Sequence, residues 1–98
     1  MVILGIDPGS RVTGYGLVRR HQGKLHYVAS GCIRLTDKPL APRLDKIFIG
    51  VGELIEQFQP DCLAIEQVFL ARNPDSALKL GHARGAAMIA ATQASLSV

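Results

Sequence analysis

Ile3-Leu4-Gly5-Ile6-Asp7-Pro8-Gly9-Ser10 begins as a short apolar strand and ends on a carboxylate and a turn. Leu63-Ala64-Ile65-Glu66 repeats the arrangement further along. Between them, from about Pro42 to Phe58, the apolar residues Leu44, Ile47, Phe48, Val51, Leu54, Ile55 and Phe58 recur at intervals of three and four. That period marks one face of a helix, and Asp45, Lys46, Glu53, Glu56 and Gln57 fill the other. Pro42 suits the first helical turn, Asp45 suits the dipole, and Pro60 ends the pattern. A strand, helix, strand order makes the two strands parallel neighbours through a right-handed crossover, so Asp7 and Glu66 emerge at the same carboxyl-terminal edge of one sheet. Ionised acids at such a place are costly unless a cation or hydrogen bonds compensate them, and hard divalent cations are the natural compensators.

Pro8-Gly9-Ser10 turns the chain back, since proline presets φ and glycine accepts positive φ. Tyr15-Gly16-Leu17-Val18 then reads as a second strand and Lys24 to Leu35 as a third. In the third, Leu25, Tyr27, Ala29 and Ile33 alternate against His26, Ser30, Cys32 and Arg34. Short polar connections make these three strands an antiparallel meander. A second helix opens at Asn73-Pro74-Asp75, where asparagine caps and proline fills the first turn, and it runs to about Ala94. Its residues are small, and Gly81 and Gly85 share nearly one face, which suits either packing on the sheet or a contact between subunits. The chain stops at Ser95-Leu96-Ser97-Val98 with no polar tail or helix stop and reads as cut short. The fold class expected is α/β: three antiparallel strands, a crossover helix, a parallel fourth strand and a second helix.

With 98 residues the chain has room for one domain, and at 48% hydrophobic and 19% charged it is too apolar for a disordered tail. No run is long enough for a membrane helix and no leader is evident, which points to no membrane association and a cytoplasmic location. Cys32 and Cys62 lie in strand-like segments with no partner at metal-ligand spacing, so buried thiols in a reducing compartment are expected. A net charge of +3 permits a polyanionic partner without requiring one.

Each candidate residue has a plain alternative. Asp-Pro-Gly is a turn sequence, and Asp7 could simply cap that turn. Glu66 stands among apolar neighbours, but it could swing to solvent or pair with Arg72. Phe69 is either ordinary core or a platform for a nucleobase. Arg11, Arg72, Lys79 and Arg84 could meet phosphates or line a solvated face. The segment from Asp7 to Gly14 also resembles the first phosphate loop of the actin-like and sugar-kinase ATPases, although those enzymes need a second such subdomain and a longer chain.

Three stretches taken together are far more specific than any one motif: Ile3 to Gly16, Ala64-Ile65-Glu66-Gln67-Val68-Phe69, and Asn73-Pro74-Asp75-Ser76-Ala77-Leu78-Lys79-Leu80-Gly81. With Ser30-Gly31-Cys32-Ile33-Arg34 and His82-Ala83-Arg84-Gly85, they closely resemble the bacterial RuvC family of Holliday-junction resolvases over essentially the whole chain. The resemblance implies a ribonuclease-H-like nuclease domain over residues 1–98, truncated at its carboxyl end. It implies a homodimer that nicks two strands of like polarity at a four-way DNA junction with magnesium (Mg2+), or manganese (Mn2+) in its place. The RuvA–RuvB branch-migration complex is an implied partner. Asp7 and Glu66 match the first two of the family's metal-binding positions, and the others lie on a later helix.

In a two-metal site the cations sit about 3.5–4 Å apart, one activating water and one stabilising the leaving oxygen. Asp7 would bridge the metals there, and Glu66 would hold or orient one of them. Phe69 matches an aromatic that contacts the junction near its crossover, and Gly81 and Gly85 fall on the family's dimer interface. Arg11, Arg72 and Lys79 are the expected DNA contacts. Without the later ligands, the chain alone is expected to be inactive. The alternatives are a non-catalytic DNA-binding or dimerisation piece and an actin-like nucleotide binder.

Overall fold

Leu4, Leu17, Ile47 and Val51 have no solvent exposure, and their positions decide which face of the sheet meets the helices. The computed structural model describes residues 1–9, 11–35, 39–65 and 74–98. Its elements are β1 (Val2–Asp7), β2 (Val12–His21), β3 (Lys24–Arg34), α1 (Leu40–Phe58), β4 (Cys62–Ile65) and α2 (Pro74–Gln93). The sheet order is β3-β2-β1-β4, antiparallel throughout except for the parallel β1–β4 pair. The expected meander and crossover are therefore present. Leu17, Leu4 and Leu63 lie side by side across β2, β1 and β4. Together with Ile47, Val51, Leu54 and Ile55 of α1 and Ala83, Ala87, Ala90 and Ala91 of α2 they form one core.

Side chains alternate across a strand, so Gly5, Asp7, Gly14, Gly16, Cys62 and Ala64 belong to the opposite face of the sheet. No helix among the described residues covers that face. The helix side is tight: a Cβ on Gly50 of α1 would stand 2.8 Å from Ile33 Cδ1 of β3.

Several expectations are corrected. Strand β2 is longer than Tyr15 to Val18, because Arg19 to His21 continue the backbone pairing beyond the core with their side chains in water. The regular alternation in β3 fails: Leu25 and Tyr27 are 67% and 75% exposed. The cause is a register shift opposite Leu17 and Val18, which pair with Ala29 and Tyr27 and leave Val28 as an extra, bulged residue. One inserted residue moves everything before it to the other face. Cys32 is exposed on the uncovered face and Cys62 is half-buried, so neither is the buried thiol expected, although both are free.

Helix α1 begins at Leu40, which places Pro42 in its first turn as expected but leaves Asp45 beyond that turn, where no acid is found. The absence of a helix stop after α2 is also corrected. Ser95 takes a positive φ of 58°, its N–H reaches the Thr92 carbonyl, and the Leu96 N–H reaches the Ala91 carbonyl at 2.8 Å. This is a Schellman ending with serine in the position glycine usually holds. Beyond it Ser97 bridges to Cys62 in the parallel sense, with its carbonyl accepting from the Leu63 N–H at 2.8 Å.

Candidate functional site

Asp7 is the last residue of β1 and pairs with Gly14 across β2. Its neighbour Ile6 pairs in parallel with Ile65, the last residue of β4. The two strands therefore end level, as the crossover requires, and Glu66 is the next residue in sequence after Ile65. Glu66, Phe69 and Arg72 all lie outside the described residues, as does Asn73, the expected cap of α2.

The Asp7 side chain is exposed. Among the described residues no donor or cation engages its carboxylate, and the turn that follows is held by another residue. Thr13 is wholly buried; its Oγ1 donates to the Gly9 carbonyl at 3.0 Å and accepts from the Gly9 N–H at 3.3 Å. A Cβ on Gly9 would collide with the Val12 carbonyl, so the turn needs glycine there. Thr13 thus holds both polar groups of Gly9 in the turn after Asp7, and among the described residues the Asp7 carboxylate has no partner. An uncompensated carboxylate at a parallel strand end is what a hard cation would use. Among the described residues, no group of three His, Cys, Asp or Glu side chains converges to complete a site.

Beside Asp7 the uncovered sheet face forms an open trough of about 790 Å³. It is floored by small residues, including Gly5, Gly14, Gly16, Ser30 and Ala64. Among the described residues, the small side chains of this floor leave room for a bulky group to approach the sheet backbone next to the carboxylate.

Arg11 is exposed near the same edge, with its carbonyl accepting from the Leu35 N–H at 2.8 Å. Lys79 lies on α2 and makes an exposed ion pair with Asp75 at 3.0 Å, one helical turn away. Such a pair is worth at most about 1 kcal/mol and can be exchanged for a phosphate. Arg84 is half-buried and its Nη1 donates to Met88 Sδ at 3.2 Å. Along α2 the small residues divide by face. Ala83, Ala87, Ala90 and Ala91 are buried in the core, whereas a Cβ on Gly81 or Gly85 would meet no atom within 4 Å. Leu78 and Ile89, 64% and 53% exposed, continue that outer stripe. The residue that sequence reasoning missed is Thr13. Its signal was there: a hydroxyl four residues after a turn glycine, in the next strand.

Comparison with known proteins agrees with this geometry. The profile of the family described as crossover junction endodeoxyribonuclease RuvC matches residues 3–98. A protein of that description from Psychromonas ingrahamii is 64% identical over 97 residues, which is 99% of this chain and 56% of the relative. The corresponding protein of Tolumonas auensis is 59% identical over the same shares. The solved structure of Thermus thermophilus RuvC in complex with Holliday junction substrate superposes with a TM-score of 0.87 at 31% identity, over 98% of this chain and 60% of that one. An Aquifex aeolicus Ppx/GppA phosphatase superposes with a TM-score of 0.63 at 15% identity, over 100% of this chain and 34% of that one, which shows a shared fold alone. The chain spans a little over half the length of the curated relatives it matches. On the family profile, the relatives and the sheet they share, the chain belongs to the RuvC family of crossover junction endodeoxyribonucleases.

Proposed function

We propose that this chain supplies the first part of the active site of a structure-selective DNA endonuclease, one that resolves four-way junctions in recombination and repair. The observation that carries the reading is the Asp7 carboxylate, without a partner among the described residues, where β1 and β4 end level in a chain of this family. Asp7, with Glu66 immediately after β4, would hold Mg2+, or Mn2+ in its place. When bound, such cations supply Lewis-acid activation of water and stabilisation of the leaving oxygen in an in-line displacement at phosphorus. The residues of this chain orient that chemistry. Thr13 fixes the turn that aims Asp7 outward, and the glycine-floored trough admits a bulky group beside it.

Phe69 supplies stacking on a base, worth about 1–3 kcal/mol. Arg11, Arg72 and Lys79 meet phosphates, which position the substrate without reading its sequence. The outer stripe of α2, with Gly81 and Gly85 between Leu78 and Ile89, suits a second copy of the chain. Glycines facing outward let two helices come close, and a dimer places two such sites on one junction. The protein would act in the cytoplasm, after branch migration by RuvA–RuvB. Among the described residues no helix is long and apolar enough to cross a membrane.

The test is a chimera in which residues 1–98 replace the corresponding part of the P. ingrahamii relative. It is offered a labelled four-way junction and a linear duplex of the same sequence with Mg2+. Paired nicks in the junction and an intact duplex are expected. A chimera that folds and binds the junction yet nicks neither substrate contradicts the proposal.

A further inference from the structure

Strand β3 ends the sheet on one side, and among the described residues nothing pairs with its outer edge. The Leu35 N–H bonds to the Arg11 carbonyl, one residue past the Arg34–Val12 pair, and this fixes the phase of the ladder. Bonded and non-bonded positions alternate in an antiparallel pair, so Gly31 and Ile33 direct their backbone groups at β2 while Ser30, Cys32 and Arg34 turn theirs outward. All three are exposed. Sheet edges are usually blunted by proline, a bulge or charge. The first half of β3 has such devices in Lys24 and the Val28 bulge. From Ala29 to Ile33 there is no proline, no bulge and no charged side chain.

A groove of about 550 Å³ lies between this edge and α1, with Tyr15, Ile33, Ile49 and Leu54 as its apolar lining. Tyr15 reaches it by crossing β3, since a Cβ on Gly31 would stand 2.6 Å from the tyrosine hydroxyl. Ile49 is 49% exposed and leaves an apolar anchor uncovered. Strands β1, β3 and β4 run one way, so α1, which returns the chain from β3 to β4, runs opposite to β3. With Gly50 against Ile33, Lys46 falls toward the Arg34 end of the groove and Glu53 toward the Ala29 end. Both are exposed, and among the described residues no ion pair engages either.

We propose that this groove docks an extended peptide of a protein partner, which adds to β3 as an antiparallel strand. The outward backbone groups of Ser30, Cys32 and Arg34 supply the main-chain hydrogen bonds, and the groove beside them supplies the choice of side chain. Every second residue of the added strand faces α1. There an apolar residue packs on Ile33 and Ile49, preceded by an acid toward Lys46 and followed by a base toward Glu53. The opposed charges at the two ends match a peptide of mixed sign and neither a polyanion nor an anionic membrane. Alternating free N–H and carbonyl groups are met in full only by another extended backbone. The edge of β3 lies two strands from β1 and Asp7, so the proposal stands apart from the nuclease reading.

The experiment follows fluorescence anisotropy of a short labelled peptide of threonines in which every second residue is, in order, glutamate, valine and lysine. Saturable binding to the 98-residue chain is expected. Cys32→Pro removes an outward N–H and no bond to β2, which an edge strand tolerates, so it should keep its melting temperature and bind the peptide at least tenfold more weakly. Lys46→Glu should reverse the preference, favouring a peptide with lysine in place of the glutamate. A third arm needs no variant: N-methylation of the threonine amides, which face β3, should abolish binding, and N-methylation of the valine amide, which faces away, should leave it intact. No saturable binding by the wild type overturns the proposal. So does normal binding by a folded Cys32→Pro, an unchanged preference in Lys46→Glu, or equal binding of the two methylated peptides. A wild-type dimer that Cys32→Pro dissociates in sedimentation assigns the edge to a second copy of the chain and overturns it as well.

Discussion

A single hydroxyl separates two accounts of Asp7. The sequence made it equally able to cap its own turn or to serve a cation, and Thr13 favours the second by bonding both polar groups of Gly9. Thr13→Val keeps the shape but leaves a partly buried N–H and carbonyl unpaired, at a cost of about 1–3 kcal/mol. Thermal unfolding followed by circular dichroism should show a fall of roughly 4–8 °C per kcal/mol lost. An unshifted melting temperature would mean that the turn holds without the hydroxyl. At this scale the acids were legible, because a carboxylate closing an apolar strand is conspicuous. Thr13 was not, since a buried threonine in a strand looks like any β-former until its partner four residues back is seen.

The elements followed from periodicity where burial dictates it. The apolar face of α1 is the core face, and β1 and β4 pair in register at Leu4 and Leu63. Where burial does not dictate, the pattern misled: Val28 bulges and turns Leu25 and Tyr27 to solvent, and an unpaired residue leaves no mark in composition. The ending of α2 was hidden for a related reason, since Ser95 holds a conformation that glycine usually signals. Ser95→Gly should relieve that strain and stabilise the chain by about 0.5–1 kcal/mol, seen as a higher denaturant midpoint at unchanged m-value. A lower midpoint would show that the serine adds something the backbone alone does not. On the outer face of α2, Gly81→Leu separates two readings cleanly. If the stripe is a subunit contact, leucine overpacks it and sedimentation shifts from dimer to monomer. If it is plain surface, association is unchanged and the better helix former stabilises the helix by up to about 1 kcal/mol.

For the whole molecule, the sheet order and family were legible because residues 3–98 carry one continuous match. Among the described residues no group of three His, Cys, Asp or Glu side chains converges on Asp7, and the further metal positions were legible only through the family resemblance. The 98-residue chain, which spans 56% of the length of its relatives, is expected to show no nicking of a four-way junction with Mg2+, since a cation held by Asp7 and Glu66 alone cannot position both water and leaving group. Nicking by the chain alone would show that its own residues suffice. The most direct test of the central claim is Asp7→Asn in the chimera with the P. ingrahamii relative, with junction affinity and nicking rate measured on the same substrate. The substitution removes a metal ligand and leaves the phosphate contacts that dominate affinity, so binding within a few-fold of wild type with nicking abolished is the result predicted. Nicking at near the wild-type rate would take Asp7 out of the metal site and contradict the account.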